Sequence, residues 1–389
     1  MIPMDAATAR AAVRGLRGEG QTSAEDAYAR AVWSVLVEPG DGVAGRLVAE
    51  HGAIEALRQI DDSGDPEVRR ARARWAPRGQ PGAVDAALDA ARRCGASLVV
   101  PGDAAWPTRL DDLGAHAPLA LWRRGAAMDA ERPAVALVGA RASTAYGEGV
   151  AADLAADLAA AGVVVISGAA YGIDGACHRA ALSAGGGTVA FLAGGVDRPY
   201  PRGHEALLSQ IAATGAVWSE TPCGAAPTKW RFLSRNRLIA AMSDAVVVVE
   251  AGWRSGSLNT AAHAATLGRP LGAVPGPVTS AASAGCHRVL REYDGVCVTS
   301  AADVLEMLGV GGPPPPASEH ARTDATTRLL DALSARTGRS ADEVARRSGL
   351  APEEAAILLG FAELEGRVQR DDDGAWRTVA RDKAAGRPG

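Results

Sequence analysis

The chain of 389 residues has five cysteines and no CxxC pair among them. Cys94, Cys177, Cys223, Cys286 and Cys297 are scattered, which argues against the common zinc spacings and a disulfide framework and leaves them as small buried hydrophobes. No metal and no cofactor is expected. No run reaches the roughly eighteen apolar residues that span a bilayer, and the N-terminal stretch lacks the apolar centre of a signal peptide. A cytoplasmic location with no membrane partner is therefore the expectation. Lysine is nearly missing: of 41 basic side chains only Lys229 and Lys383 are lysine, an arginine bias that accompanies abundant alanine and glycine and carries no function by itself. A net charge of −4 argues against a generally basic nucleic-acid coat, although a local cluster can still bind a phosphate backbone.

What is present is ordinary globular composition, 47% hydrophobic and 22% charged, at a length that fits roughly two to three domains. Residues 1–130 are rich in Ala, Arg and Asp with helical spacing and predict a helical N-terminal domain, with two short helices around Pro39-Gly40. Such a hairpin can touch a nucleic-acid backbone, but a small packing domain is the plainer reading. Within this region, 101–125 holds too many turn formers for a long element and reads as a structured connector. Over 131–310 the pattern becomes α/β. Short β-branched runs at 135–140, 163–167, 188–194, 216–220, 245–250, 271–276 and 296–299 alternate with Ala-rich helical segments. Buried strands joined by helical crossovers predict a doubly wound parallel sheet, an extended Rossmann-like core whose ligand site lies beyond the carboxyl ends of the strands. Residues 311–320 contain four consecutive prolines and predict an extended linker. Beyond it, 321–380 reads as three helices and an Asp-Gly hairpin, a small C-terminal winged helix, followed by a tail at 381–389. Over 321–389 twelve Lys/Arg balance twelve Asp/Glu, so this module is at least as suited to protein as to DNA.

The strand ends carry the chemistry. The first run ends in Gly139-Ala140-Arg141-Ala142-Ser143 before a helix, a turn that lets the backbone approach an anion, with Arg141 a phosphate contact. There is no GxGxxG, and the second run ends in Ser167-Gly168 where a dinucleotide fold carries an acid, which argues against nicotinamide. Asp174 reads as a helix cap rather than a catalytic acid, and His178 stands one turn on, at a spacing that permits a pair with it. Residues 221–243 contain Lys229, Arg231, Arg235 and Arg237 with Trp230 and Phe232 between them and no acid at all. Cations that grip phosphates and aromatic faces that stack bases are the pairing of a single-strand binder, and cations without acids nearby imply a bound polyanion as their partner. Ser255, Gly256, Ser257 and Asn259 form a further anion cradle, in which Asn259 suits a base or ribose contact and a helix cap equally.

These residues resemble the DprA/Smf family of bacterial DNA-processing proteins. GAR at 139–141, SGAAYGID at 167–174, the RNR triplet at 235–237, SGSLNTA at 255–261, AVPG at 273–276 and WPxxL at 106–110 are similar to its signatures in order and spacing. The resemblance implies single-stranded DNA binding without sequence preference, protection of that strand, loading of RecA during transformation or recombination, a homodimer through the core, and no catalytic residue. Its strand-binding positions fall on Arg141, Lys229, Phe232, Arg235 and Arg237; Ser143, Gly168, Asn236 and the 255–259 cradle complete the expected interface. Departures stand at Leu233, His204 and His287. The rival reading is a nucleotide-processing enzyme of the LOG-type phosphoribohydrolase group, which resembles the core but carries a glutamate after its glycine turn, where this chain has SGSLNTAAHA.

Overall fold

The computed structural model describes residues 5–18, 22–127, 129, 131–310, 325–371 and 373–379. The linker at 311–320 and the tail at 381–389 lie outside the described residues. The chain divides into two compact units, Met1–Gly311 and Gly312–Gly389.

The first unit opens with helices α1 (Ala6–Val13), α2 (Ala24–Leu36), α3 (Gly42–His51), α4 (Ala53–Gln59), α5 (Pro66–Trp75) and α6 (Ala83–Arg93). The side chains of Asp5, Ser23, Asp41 and Asp65 cap four of them by accepting first-turn N–H groups. Pro39-Gly40 separates α2 from α3, as the sequence predicts. Strands β1 (Ser97–Val99), β2 (Leu121–Gly125), β3 (Ala134–Gly139), β4 (Val164–Ser167), β5 (Thr188–Phe191), β6 (Ala216–Ser219), β7 (Ala245–Glu250), β8 (Leu271–Ala273) and β9 (Val296–Cys297) form one sheet of order β1-β2-β6-β5-β4-β3-β7-β8-β9. Pairing is parallel from β6 through β9, while β1 and β2 run antiparallel along one edge. Between the parallel strands lie α7 (Ala145–Ala160), α8 (Ile173–Ser183), α9 (Glu205–Thr214), α10 (Lys229–Met242), α11 (Ser257–Thr266) and α12 (Ala284–Glu292), with α13 (Ala301–Met307) after β9. This is the doubly wound α/β sheet the alternating runs predict.

Alternation along β3 sends its side chains to opposite faces. Ala134, Ala136 and Val138 pack with Leu238, Ile239 and Met242 of α10, whereas Val135 and Leu137 pack with Leu154 and Leu158 of α7. β4, β5 and β6 add on one side of β3; α10 then brings the chain back to β7 on the other side. The crevice between β3 and β7 is therefore the topological switch point.

The helical N-terminal region and the sheet share their packing, so no separate body ends near residue 130. Trp122, Ala190 and Val217 of the sheet lie in one apolar cluster with Tyr28, Val32 and Leu88 of the helices. The segment read as a connector contains β2, where Trp122 pairs with Ser219 across the edge. Turn formers on both sides hide so short a strand from sequence patterning.

The second unit has α14 (Ala325–Asp331), α15 (Ala341–Ser348) and α16 (Pro352–Leu364), then the antiparallel hairpin β10 (Val368–Arg370) and β11 (Trp376–Thr378). Leu329, Val344, Leu359, Val368 and Trp376 form its core. Three helices followed by a wing give the winged helix expected from the sequence.

Candidate nucleic-acid interface

A cavity of about 540 Å³ opens beyond the carboxyl ends of β3 and β7. The loop after β3, one face of α10 and the loop before α11 line it. Glu250, the last residue of β7, fixes the first of these: its carboxylate accepts from the Thr144 backbone N–H at 2.8 Å and from the Thr144 hydroxyl at 2.6 Å. Thr144 in turn caps α7 by accepting from the Gly147 N–H at 3.1 Å. Ser143 donates to Glu148 at 2.7 Å and does not line the cavity. Held this way, the loop delivers Arg141 over the Phe232 ring, with the guanidinium 4.5 Å from its centroid. Tyr200 packs against the other partner of this pair, 5.4 Å from Phe232 between centroids.

Arg235 enters the same cavity from α10 and is only 6% exposed. Its Nη1 donates to the Phe191 carbonyl at 2.7 Å. Gly168 makes that position possible, because a β-carbon there would collide with the guanidinium. Beside it, Asp174 accepts from the N–H groups of Gly168 at 3.1 Å and Ala170 at 3.3 Å. Asp174 therefore closes the loop that precedes α8 and does not cap the helix, which corrects the capping reading. Gly172, at φ 74°, turns that loop under Arg141, where a side chain would strike the Ala140 carbonyl. The Arg235 pKa is lowered to about 10, by burial first, with Asp174 opposing the shift and Arg141 adding to it. It stays cationic at neutral pH, with a second guanidinium repelling it. Burial pushes the Asp174 carboxyl up, against the pull of Arg235.

Asn236 lines the cavity but its amide is engaged, donating to the Gly256 carbonyl at 3.2 Å and to Asn259 Oδ1 at 3.3 Å. Asn259 thus braces α10 against α11 rather than capping the latter, whose preceding residue is Gly256. Ser255 and Ser257 share a hydroxyl contact of 2.7 Å, and with Gly256 they form the cavity's far wall. Lys229 opens α10, exposed and, among the described residues, without a carboxylate partner; it stands outside the cavity lining.

Arg237 differs from its neighbour. It points to the opposite side of α10, buried, in an ion pair with Glu220, whose other oxygen accepts from the Gly40 N–H at 3.0 Å. Arg231 makes a two-point contact with Glu38 at 2.9 and 3.0 Å. Burial pushes the Glu38 carboxyl up, but the hydrogen bond and charge of Arg231, together with Arg78, leave it lowered. The inference that all four cations of 221–243 require an external polyanion is corrected for these two: their acids come from 17 and 193 residues away in sequence. Nor does His178 pair with Asp174. It is fully buried, with Nδ1 2.7 Å from the Thr188 hydroxyl. The two departures at His204 and His287 hold rim loops, through contacts of 3.0 Å to the carbonyls of Ala169 and Gly276.

Sequence reasoning missed two features. Arg254 lines the cavity, exposed and, among the described residues, with no acid partner. The second is a set of exposed aromatics past the strands: besides Trp230 after β6, already singled out in the sequence, Tyr146 follows β3, Tyr171 β4, Tyr200 β5 and Trp253 β7, all between 45% and 62% exposed. Their signal was present: three of the five tyrosines in the chain stand just past strand ends.

Among the described residues no group of three His, Cys, Asp or Glu is placed to hold a metal ion, and no helix is long and apolar enough to cross a membrane. The family model for DNA recombination-mediator protein A matches residues 97–309, and that for the DprA winged helix domain matches residues 313–374. The first match spans more than half of the chain. This protein belongs to the DprA/Smf family. A DprA relative from Mycobacterium tuberculosis is 46% identical over 310 residues, covering 75% of this chain and 79% of the relative. The DprA of Streptococcus pneumoniae is 40% identical over 193 residues, 49% of this chain and 66% of its own. Its X-ray structure superposes with a TM-score of 0.60 at 31% identity, covering 72% of this chain and 97% of that one.

Proposed function

We propose that this DprA member binds single-stranded DNA without sequence preference across the carboxyl edge of its sheet, protects it, and loads RecA onto it. One observation carries the binding: Arg141, Arg235 and Arg254 line one cavity in which, among the described residues, Asp174 is the only acid, and that acid is engaged by backbone N–H groups. Two of these guanidiniums repel each other until an anion lies between them. The Arg141–Phe232 stack and the exposed aromatics offer flat faces that accept any base, which favours a strand whose bases are unpaired. Strand protection and RecA loading rest on the family resemblance, and a cytoplasmic setting on the lack of a bilayer-length apolar run in the sequence. A homodimer through the core has the additional support of β9, an edge strand whose two residues are both exposed.

The reading is of a binding protein rather than an enzyme. The cavity offers no second carboxylate, and α11, where the LOG-type rival carries its glutamate, contains no acid. Fluorescence anisotropy of labelled single strands of mixed sequence, against duplex of the same length, tests the proposal. Tight, salt-sensitive binding of all single strands and weak binding of duplex are expected. A preference for duplex, or release of base from nucleoside monophosphates, would overturn it. RecA filament growth on strands coated with single-strand-binding protein is expected to accelerate when this protein is added, and an unchanged rate would remove the loading role.

A further inference from the structure

A second cavity, of about 550 Å³, lies on the other side of Leu233, which lines both. Leu113, Leu233, Leu267 and Trp230 give it an apolar wall, with Trp230 largely exposed, and Asp112, His116 and Arg237 also stand on the lining. Set into these walls are polar groups that the fold leaves unused. Among the described residues the Ser234 hydroxyl and the His263 ring have no hydrogen-bond partner, and Asn259 uses only its oxygen, leaving its amide N–H groups free. Burial lowers the His263 pKa, with Arg237 and His116 adding to the effect, so the ring is neutral at pH 7 and offers one donor and one acceptor.

We propose that this slot between α10 and α11 receives a nucleobase of the same strand, unstacked from its neighbours and laid against Trp230. The inference rests on the single-strand reading given above and adds a second, chemically distinct subsite to it. A cavity that joins apolar side chains to a few convergent donors and acceptors suits a base, whose faces are apolar and whose edges are polar. It does not suit a phosphate, because the charged side chains on its lining are already paired, Arg237 with Glu220 and Asp112 with Arg269. Leu233 as the shared wall gives the connection: a strand whose phosphates lie at Arg141 and Arg235 crosses this one residue to place a base beyond it. The RNR triplet with its flanking residues therefore faces two cavities, the cationic one through Arg235 and the apolar one through Ser234 and Leu233.

The test compares two oligomers of equal length, one of thymidine and one whose sites are all abasic, by anisotropy with the full chain. Trp230→Ala is expected to weaken thymidine binding roughly tenfold, the size of one base–aromatic stack, and to leave abasic binding unchanged. Thr266→Trp, which fills the slot from an exposed helix position, is expected to do the same. Thymidine binding at the unaltered level in both variants, or an equal loss for both oligomers, would overturn the slot while leaving the single-strand reading intact. Failure of the unaltered protein to bind either oligomer would overturn both.

Discussion

Two helices invite comparison, because each occupies the place where its unit would meet DNA. α10 runs from Lys229 to Met242 without an acid and presents Phe232 and Arg235 to a cationic cavity. α16, the third helix of the winged helix, contains Glu353, Glu354 and Glu363 and no base. Its Ile357, Phe361 and Leu364 recur at helical spacing and are 61%, 60% and 86% exposed. A phosphate backbone is repelled by such a face. The winged-helix architecture alone therefore says little about what the module touches, and the side chains on its helix argue against a DNA groove.

The same contrast runs through α10 itself, and the largest expected effect tests it. Arg237→Ala leaves Glu220 buried without its cation, a change that typically costs about 3–5 kcal/mol of folding stability. Thermal unfolding is expected to shift strongly downward; an unchanged midpoint would show that Arg237 is free to serve the DNA. Arg141→Ala is expected to act the other way round, with unfolding unchanged and single-strand affinity reduced on the order of ten- to a hundredfold, the worth of a charge-assisted contact of about 1.5–3 kcal/mol. The slope of log affinity against log salt should also flatten by about 0.7 for the lost phosphate contact. Wild-type affinity in this variant would mean the strand runs elsewhere.

Acid should distinguish the two units. His178, buried behind the cavity, has its pKa lowered to about 3 from 6.5, by burial first and then by repulsion from His204, Arg235 and Arg179. Below pH 6.5 the unfolded chain takes up this proton and the native one does not until about pH 3, so stability falls as pH falls through that window. The loss approaches about 1.4 kcal/mol per pH unit, and His178→Gln should remove that slope when compared with the parent protein by urea unfolding. The described residues of the winged helix contain no histidine and its own transition should lack this term. The smallest effect is expected on α16: Phe361→Glu should leave single-strand affinity within about twofold, and a tenfold loss would place α16 on the strand.

Much of this was legible in the sequence, for physical reasons that can be named. Short β-branched runs such as AVVVVE at 245–250 are buried on both faces, and their length and β-branching favour a central strand over a helix. The Gly139–Arg141 turn and the acid-free stretch around Phe232 mark the cavity because its chemistry requires cations beside flexible backbone. Arg235 and Arg237 could not be separated that way. They differ in what lies across from them, the Phe191 carbonyl for one and Glu220 for the other, partners at the end of β5 and just past β6. The second strand of the edge was hidden for a similar reason, since LWRRG at 121–125 has apolar residues only at its start and gains its place by pairing with β6. Asp174 was misread because it reaches back to Gly168 and Ala170, whereas a cap would reach forward.

Gly168 has a consequence for the kinetics of encounter. An arginine on a surface samples many rotamers, and fixing one on binding costs up to about 2 kcal/mol of conformational entropy. Arg235 has already lost that freedom, since its guanidinium fits only over the bare backbone at Gly168 and is tethered to the Phe191 carbonyl. An incoming phosphate meets a cation that need not reorganise, in surroundings where water screens it poorly. Gly168→Ala would displace that guanidinium, set the charge adrift and convert a prearranged receptor into one that must assemble on each visit.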